Sequence, residues 1–85
     1  MTRTLVSNQN EKHTLTIHQW IILRNGWEYY VTEKPDSDGI GEALVLGFED
    51  EIGSFSLDEI KPYVLSSAVA NELFDLAPPD GWCWQ

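Results

Sequence analysis

The pair Asn25-Gly26 is the feature that most restricts what this chain can fold into. Runs of apolar, aromatic and β-branched residues flank it, at 20–23 and 27–31. Asn and Gly tolerate the positive φ angles that a type I′ turn needs at both central positions, so the pattern predicts a hairpin with a two-residue loop. Such a loop also fixes which side chains share a face. The predicted apolar face consists of Trp20, Ile22, Trp27, Tyr29 and Val31.

The segment before the hairpin divides into a polar part and an alternating part. Residues 1–12 hold no apolar period and predict a flexible tail, in which Leu5 and Val6 could add a short edge pairing. From His13 to His18 the pattern alternates, but Leu15 and Ile17 are out of phase with the hairpin. Either a bulge near His18-Gln19 brings Leu15, Ile17, Trp20 and Ile22 onto one face, or this strand is buried on both faces.

Two more strands are expected after the hairpin. Residues 34–39 predict a turn, because Pro presets φ, Asp and Ser form local hydrogen-bonded caps, and Gly takes positive φ. A third strand is predicted at 43–48 and a short fourth strand at 52–55, with the charged turn Glu49-Asp50-Glu51 between them.

The pattern of the C-terminal third predicts helices. Ser56 and Glu59 match a capping box, which predicts a short helix that Pro62 ends or kinks. A second helix is predicted from Ala68 to about Ala77, capped by Ser66 or Ser67. Its apolar stripe would cover the aromatic face of the sheet. The stripe contains Val69, Leu73 and Leu76, with Ala70, Phe74 and Ala77 beside them.

These elements predict an α+β fold: a small antiparallel sheet of three to four strands, followed by one short and one longer helix. The predicted divisions are a flexible tail at 1–12, a single domain at 13–77, and a Trp-rich C-terminal tail at 78–85. That tail either packs on the domain or stays exposed. At 85 residues the chain is expected to form a single domain.

Charge narrows the classes of partner. Fourteen Asp and Glu against five Lys and Arg give a net charge of −9, which repels phosphate backbones and anionic membranes. We therefore expect no direct nucleic-acid or membrane binding, whereas a basic protein partner remains open. The alternative is that the acidity serves solubility alone. A single cysteine, a polar start and the lack of an apolar run of about 20 residues predict a cytoplasmic protein.

No catalytic or metal-binding constellation stands out. Asp36-Ser37-Asp38-Gly39 resembles part of a calcium loop, but its spacing fails and an ordinary turn is favoured. His13, His18 and Cys83 lack the closely spaced pairs of zinc sites. A carboxylate pair for acid–base chemistry could be drawn from Glu28, Glu33 and Glu42, although acidic residues are too frequent for this to be informative. We therefore expect no enzyme activity, no cofactor and no metal.

Two features favour protein binding. Trp82 and Trp84 either close the core or serve as exposed anchors, since Trp is enriched at interface hot spots. The acidic edge is either a solvated turn or a docking surface for a basic protein; it consists of Glu49, Asp50, Glu51, Asp58 and Glu59. The chain is thus predicted to be a small acidic interaction module that regulates or inhibits a basic partner. The alternative is a self-contained or homodimeric accessory domain, with Trp82 and Trp84 buried across a two-fold axis.

Residues 27–60 resemble a family of small bacterial proteins of unknown function that are often carried on plasmids and conjugative elements. The resemblance lies in Trp27-Glu28-Tyr29-Tyr30-Val31-Thr32-Glu33 and in the stretch from Gly47 to Ile60, GFEDEIGSFSLDEI. It implies a strand–turn–strand–helix order and a bacterial cytoplasmic setting, and it assigns no catalytic residue. The chain departs from the pattern after Ile60.

Overall fold

The computed structural model describes residues 2–7, 14–69 and 77–85. Eight strands and one short helical segment follow one another along this part of the chain. The strands are β1 (Arg3–Ser7), β2 (Thr14–Ile17), β3 (Gln19–Leu23), β4 (Glu28–Glu33), β5 (Ile40–Leu46), β6 (Asp50–Ser56), β7 (Val64–Val69) and β8 (Trp82–Trp84). The helical segment consists of α1 (Leu57–Ile60) and a 3-10 turn, Lys61–Tyr63.

The strands form two antiparallel sheets. One has five strands in the order β6-β5-β4-β3-β7, and the other has three in the order β2-β1-β8. Strands hold 61% of the described residues and helical turns 10%. The α+β prediction is therefore wrong, because the protein is mainly β. The sheet that was predicted with three to four strands has five, and the three-stranded sheet was not predicted.

The hairpin at Asn25-Gly26 is confirmed, but its loop has three residues. The Leu23 amide donates to the Trp27 carbonyl at 2.8 Å, and the Gly26 amide donates to the Leu23 carbonyl at 3.0 Å. Gly26 has a φ of 92°, and no non-glycine residue in the described ranges has positive φ. A type I turn followed by a left-handed Gly is the usual three-residue hairpin loop. The predicted type I′ turn is wrong.

The extra loop residue shifts the register by one. Ile21 lies opposite Tyr29 and Trp20 lies opposite Tyr30. A shift of one residue moves a whole strand's side chains to the other face. On β3 it is therefore Ile21 and Leu23 that join Tyr29 and Val31, while Trp20 and Ile22 point the opposite way.

Both faces of the five-stranded sheet carry a core. One core is covered by α1 and contains Ile21, Leu23, Tyr29, Val31, Ala43, Phe55 and Ile60. The other lies against the three-stranded sheet and contains Leu5, Ile17, Tyr30 and Leu44, with Leu15, Trp20, Trp82 and Trp84 packed on it. The cover of the sheet is thus a second sheet on one face and a single helical turn on the other.

His18 is the point at which the chain passes from one sheet to the other. It separates β2 from β3, and its amide donates to the Val31 carbonyl at 2.8 Å. This break corrects the phase, because Leu15, Ile17 and Trp20 contact the same core. The predicted irregularity at His18-Gln19 is confirmed for those three side chains, although it is a strand break and Ile22 is not part of that core.

Both chain ends belong to the three-stranded sheet. β1 pairs with β2 on one side and with β8 on the other, and Leu5 is fully buried at its centre. This differs from the flexible tail predicted at residues 1–12, for the part 3–7 that the structure describes. The apolar pair Leu5-Val6 is enough for a strand because two neighbouring strands satisfy its backbone groups.

The third and fourth strands are confirmed as β5 and β6, and the helix start after Ser56 is also confirmed. Asp50 and Glu51 belong to β6, so the turn is formed by residues 47–49. Ser56 occupies the N-cap position without a side-chain cap hydrogen bond, so the reciprocal capping box is not formed. Pro62 lies in the 3-10 turn that ends the helical segment.

The predicted second helix is wrong where it can be checked. Ser66, Ser67, Ala68 and Val69 belong to β7, which pairs with β3. Without this strand β3 would expose an edge of unpaired backbone groups, and tertiary pairing overrides the local helical pattern. Residues 70–76, which carry the rest of the apolar stripe, lie outside the described residues.

Candidate protein-interaction site

The turn between β5 and β6 presents an exposed aromatic side chain. Phe48 is 95% exposed, and its ring meets Trp27 edge to face at a centroid distance of 5.4 Å. Gly47 permits this arrangement, since a Cβ there would lie 2.8 Å from ring carbons of Trp27. The turn thus holds two aromatic rings beside one another, one half-buried and one in solvent.

Two adjoining grooves run from this turn along β6 on the face that carries α1. The first has a volume of about 230 Å³ and is lined by Trp27, Val45, Gly47, Phe48, Glu49 and Glu51. The second has about 250 Å³ and is lined by Tyr29, Val45, Glu51, Gly53, Ser54, Phe55, Ser56, Glu59 and Ile60. Because Val45 and Glu51 belong to both, the two form one surface, named here the acidic groove.

The structure divides the predicted acidic edge. Glu49, Glu51 and Glu59 line the acidic groove together. Asp50 pairs with Leu46 on the opposite face of the sheet. Asp58 lines a different groove, beside Gly39. All five carboxylates are exposed, and none forms an ion pair within the part of the chain that the structure describes.

Trp82 and Trp84 lie away from those carboxylates, in the three-stranded sheet. Both are half-buried and pack on the core between the sheets. Trp84 meets the Tyr30 ring at 6.0 Å, and the guanidinium of Arg3 lies 4.6 Å from the Trp84 ring centroid. Of the two readings for this tail, the rings adopt the one in which they close the core.

Of the three glutamates weighed for acid–base work, Glu28 has partners in the sheet. It accepts a hydrogen bond from the Trp20 indole at 3.0 Å and another from the Tyr30 hydroxyl. Burial, the negative charge of Glu28 and this hydrogen bond all raise the pKa of Tyr30, and burial raises the pKa of Tyr29. Glu33 and Glu42 are exposed and face each other across β4 and β5.

The Asp36 loop is an ordinary turn that uses its own carboxylate. Asp36 Oδ1 accepts from the amides of Asp38 at 2.9 Å and Ile40 at 3.1 Å, and Gly39 has a φ of 81°. This loop borders another groove, of about 760 Å³, whose polar lining includes His18, Lys34 and Asp58.

Metal ligands do not cluster in the described part of the chain. No group of three His, Cys, Asp or Glu side chains able to hold an ion occurs there. Cys83 is exposed on β8. His13, the remaining residue of the weighed zinc set, lies outside the described residues.

Sequence reasoning missed the uncharged lining of the acidic groove, which includes Trp27 as a wall, Phe48 as an exposed ring and Gly53 as a gap. Phe48 was assigned to a strand, although its position between Gly47 and three acidic residues is typical of a turn. Gly53, in the middle of a short strand, is also a signal, since strand glycines often mark close approach of another group.

Comparisons with protein-family models, with curated proteins and with solved structures found no match to this chain. The resemblance over residues 27–60 therefore stays a prediction. Within the described ranges, no helix is long and apolar enough to cross a membrane.

Proposed function

We propose that this protein is a small acidic cytoplasmic interaction module, without enzymatic activity, that binds a basic protein partner through the acidic groove. The observation that carries the proposal is the placement of Phe48, 95% exposed, beside Glu49 and Glu51. A large exposed aromatic side chain is a typical binding anchor, and carboxylates around it select a cationic partner.

The rest of the acidic groove supports the same function. Its floor contains the aromatic rings of Trp27, Tyr29 and Phe55, and its rim carries Glu51 and Glu59. A guanidinium or ammonium group is attracted both to the faces of such rings and to carboxylates. The −9 charge of the chain would speed the encounter with a basic protein and would keep the module away from nucleic acid.

Occupation of a basic surface gives the module a means of control. A partner that uses Lys and Arg to bind phosphate groups would lose that surface when the acidic groove covers it. We therefore propose that the module regulates or inhibits its partner by competition. Trp82 and Trp84 are assigned to the fold rather than to this contact, because they pack on the chain's own core.

The test is a pull-down of the tagged protein from its host lysate with elution in steps of rising salt. Two variants are compared with the wild type: Glu49→Gln/Glu51→Gln/Glu59→Gln in the groove, and Glu33→Gln/Glu42→Gln/Asp80→Asn elsewhere. Each removes three exposed carboxylates and so changes the net charge of the chain from −9 by the same amount. The second set is therefore a charge-matched control.

We expect basic proteins to be released at moderate salt from the wild type and from the control variant, and to be lost from the groove variant. Equal capture by the two variants would contradict a role for the groove. Capture of the protein itself and nothing else would favour the homodimeric alternative.

A further inference from the structure

We infer that the acidic groove binds an extended, Arg- or Lys-containing segment that adds to the free edge of β6 as an additional strand. The inference rests on the proposed function and specifies how its partner is held. It is carried by three features: an open backbone edge on β6, a glycine gap in that strand, and carboxylates that line the groove beside the gap.

The first feature is the edge itself. β6 is the last strand of the five-stranded sheet and pairs with β5 on one side. No strand in the described part of the chain pairs with its other side. Such an edge presents a row of backbone donors and acceptors that an extended segment can satisfy, which is the basis of recognition by strand addition.

The second feature is Gly53, at the centre of β6. Its φ is not positive, and a Cβ built on it would meet no atom within 4 Å, so neither backbone conformation nor packing in this chain demands glycine. Glycine weakens a strand, because it loses more conformational freedom and has no side chain to pack. What it leaves is space in the groove, between Glu51 and Phe55.

The third feature selects the side chain that enters this space. Tyr29 and Phe55 are nearly buried and form its floor, at a ring distance of 5.6 Å, while Glu51 and Glu59 stand exposed on its rim. Arginine fits both parts, since its guanidinium stacks on aromatic rings and pairs with carboxylates. Lysine would supply the charge without the planar stacking group.

The same charges argue against a second copy of this chain on the edge. Two β6 strands paired side by side would bring together two chains of net charge −9, each with Asp50 and Glu51 exposed on the pairing strand. Like charges across a strand pair are destabilising, and charged edge residues are a common protection against self-pairing. The edge is therefore open to a basic strand and closed to its own.

A peptide experiment tests this mode of binding. The probe is a blocked six-residue peptide of alternating Val and Arg, with its affinity for the full-length protein measured by calorimetry. Two further peptides carry N-methyl groups, one on all Val amides and one on all Arg amides. Because successive amides of a strand point to opposite edges, each pattern blocks one edge and leaves side chains and charge unchanged.

Gly53→Val and Ser66→Val form the matched protein pair. Valine is favoured in strands, so neither is expected to lower the melting temperature. The side chain added by Gly53→Val fills the groove, whereas Ser66 is exposed on β7, at the other edge of the five-stranded sheet, and does not line the groove. We expect Gly53→Val to weaken binding by about tenfold or more and Ser66→Val by less than about twofold. We also expect at least one methylated peptide to lose binding.

Each other outcome has a definite meaning. If the peptide binds with an affinity that depends on Glu49, Glu51 and Glu59 but not on Gly53 or on either methylation, strand addition is wrong and the proposed function stands. If the wild type does not bind the peptide at all, strand addition is wrong, and the salt-step pull-down decides separately whether the proposed function stands. Self-association that Gly53→Val abolishes would overturn the choice of partner.

Discussion

Among single side chains, Glu28 is expected to contribute to the stability of the fold through the hydrogen bonds that its carboxylate accepts. Its carboxylate accepts hydrogen bonds from the Trp20 indole and the Tyr30 hydroxyl, on the sheet face that meets the second sheet. Tyr30 is only 2% exposed. A buried donor that loses its acceptor costs more than the hydrogen bond itself contributes, so this carboxylate is expected to matter far more than the other acidic residues.

Glu28→Ala is predicted to lower the free energy of unfolding by about 1–3 kcal/mol, because it leaves two aromatic donors without their acceptor. Glu28→Gln keeps an acceptor oxygen at the same place and should cost less than half as much. Urea unfolding followed by tryptophan fluorescence measures both. Equal losses in the two variants would show that charge, rather than the acceptor, is what the site requires.

Tyr30 and Tyr29 predict how stability depends on alkaline pH. Burial raises the pKa of both in the folded state, and Glu28 raises the pKa of Tyr30 further. The unfolded chain therefore releases these protons from about pH 10, before the folded chain does. Below pH 10 the contribution to stability is complete, and it falls as pH rises toward the folded pKa values.

We accordingly expect unfolding midpoints in urea to be flat from pH 7 to about pH 9.5 and to fall above about pH 10. Tyr30→Phe should fall less steeply over that range, since the more strongly perturbed proton is gone. An unchanged slope in this variant would mean that Tyr30 does not contribute.

At the scale of elements, the sequence predicts pairs of neighbouring strands well and their register poorly. The hairpin, β5, β6 and the start of α1 all follow from local chemistry: an Asn-Gly pair, a Pro- and Asp-rich turn, and a serine before an apolar residue. A two-residue and a three-residue loop both place Gly at positive φ, however, so the turn residues alone could not decide between them. The difference of one residue in loop length determined which side chains of β3 faced each core.

The helical spacing that begins at Val69 shows that local periodicity can also predict the wrong element. The spacing of Val69, Leu73 and Leu76 has a helical period, yet Val64–Val69 is a strand. Valine and serine suit either structure, and the choice was made by the free edge of β3, a partner more than 40 residues earlier in the chain. Local periodicity contains no information about that edge.

Strand β8 provides the prediction at this scale. Trp84 lies opposite Leu5, packs on Tyr30 and is covered by Arg3, so Trp84→Ala should cost about 2–4 kcal/mol, somewhat below a fully buried Trp. Gln85→Ala changes an exposed side chain next to it and should cost about 0.5 kcal/mol or less. Urea unfolding compares the two. A loss as small for Trp84 as for Gln85 would place the tail outside the fold.

For the whole molecule, the closure of the two ends into one sheet is what the sequence could not reveal. β1 and β8 are nearly 80 residues apart in sequence, and each is short, with five residues in β1 and three in β8. Pairing at this distance is decided by the complete core, on which both Trp82 and Trp84 pack. The acidic groove was predictable only in part, again because distant residues form it. Its carboxylates, Glu49, Glu51 and Glu59, lie within eleven residues of one another, whereas Trp27, Tyr29 and Phe55 come together only through the sheet.

The overall charge distribution also has a thermodynamic consequence. Glu49, Asp50 and Glu51 are consecutive and exposed, and within the described ranges they form no ion pair. The chain carries a net charge of −9, so the folded state concentrates repulsion that the unfolded chain relieves. A group of charges selected for stability would be paired. An unpaired group at the tip of a hairpin is expected to cost stability and to be retained for binding.

Glu49→Gln/Asp50→Asn/Glu51→Gln is therefore predicted to melt about 2–4 °C higher than the wild type at low salt, a gain of about 0.5 kcal/mol. The difference should shrink as salt approaches 1 M, where screening reduces the repulsion to a range of about 3 Å. Calorimetric melts across a salt series measure this. A lower melting temperature would mean that the carboxylates stabilise their own turn. A higher one, together with loss of the basic partner in the pull-down, would show that these charges oppose folding and serve recognition.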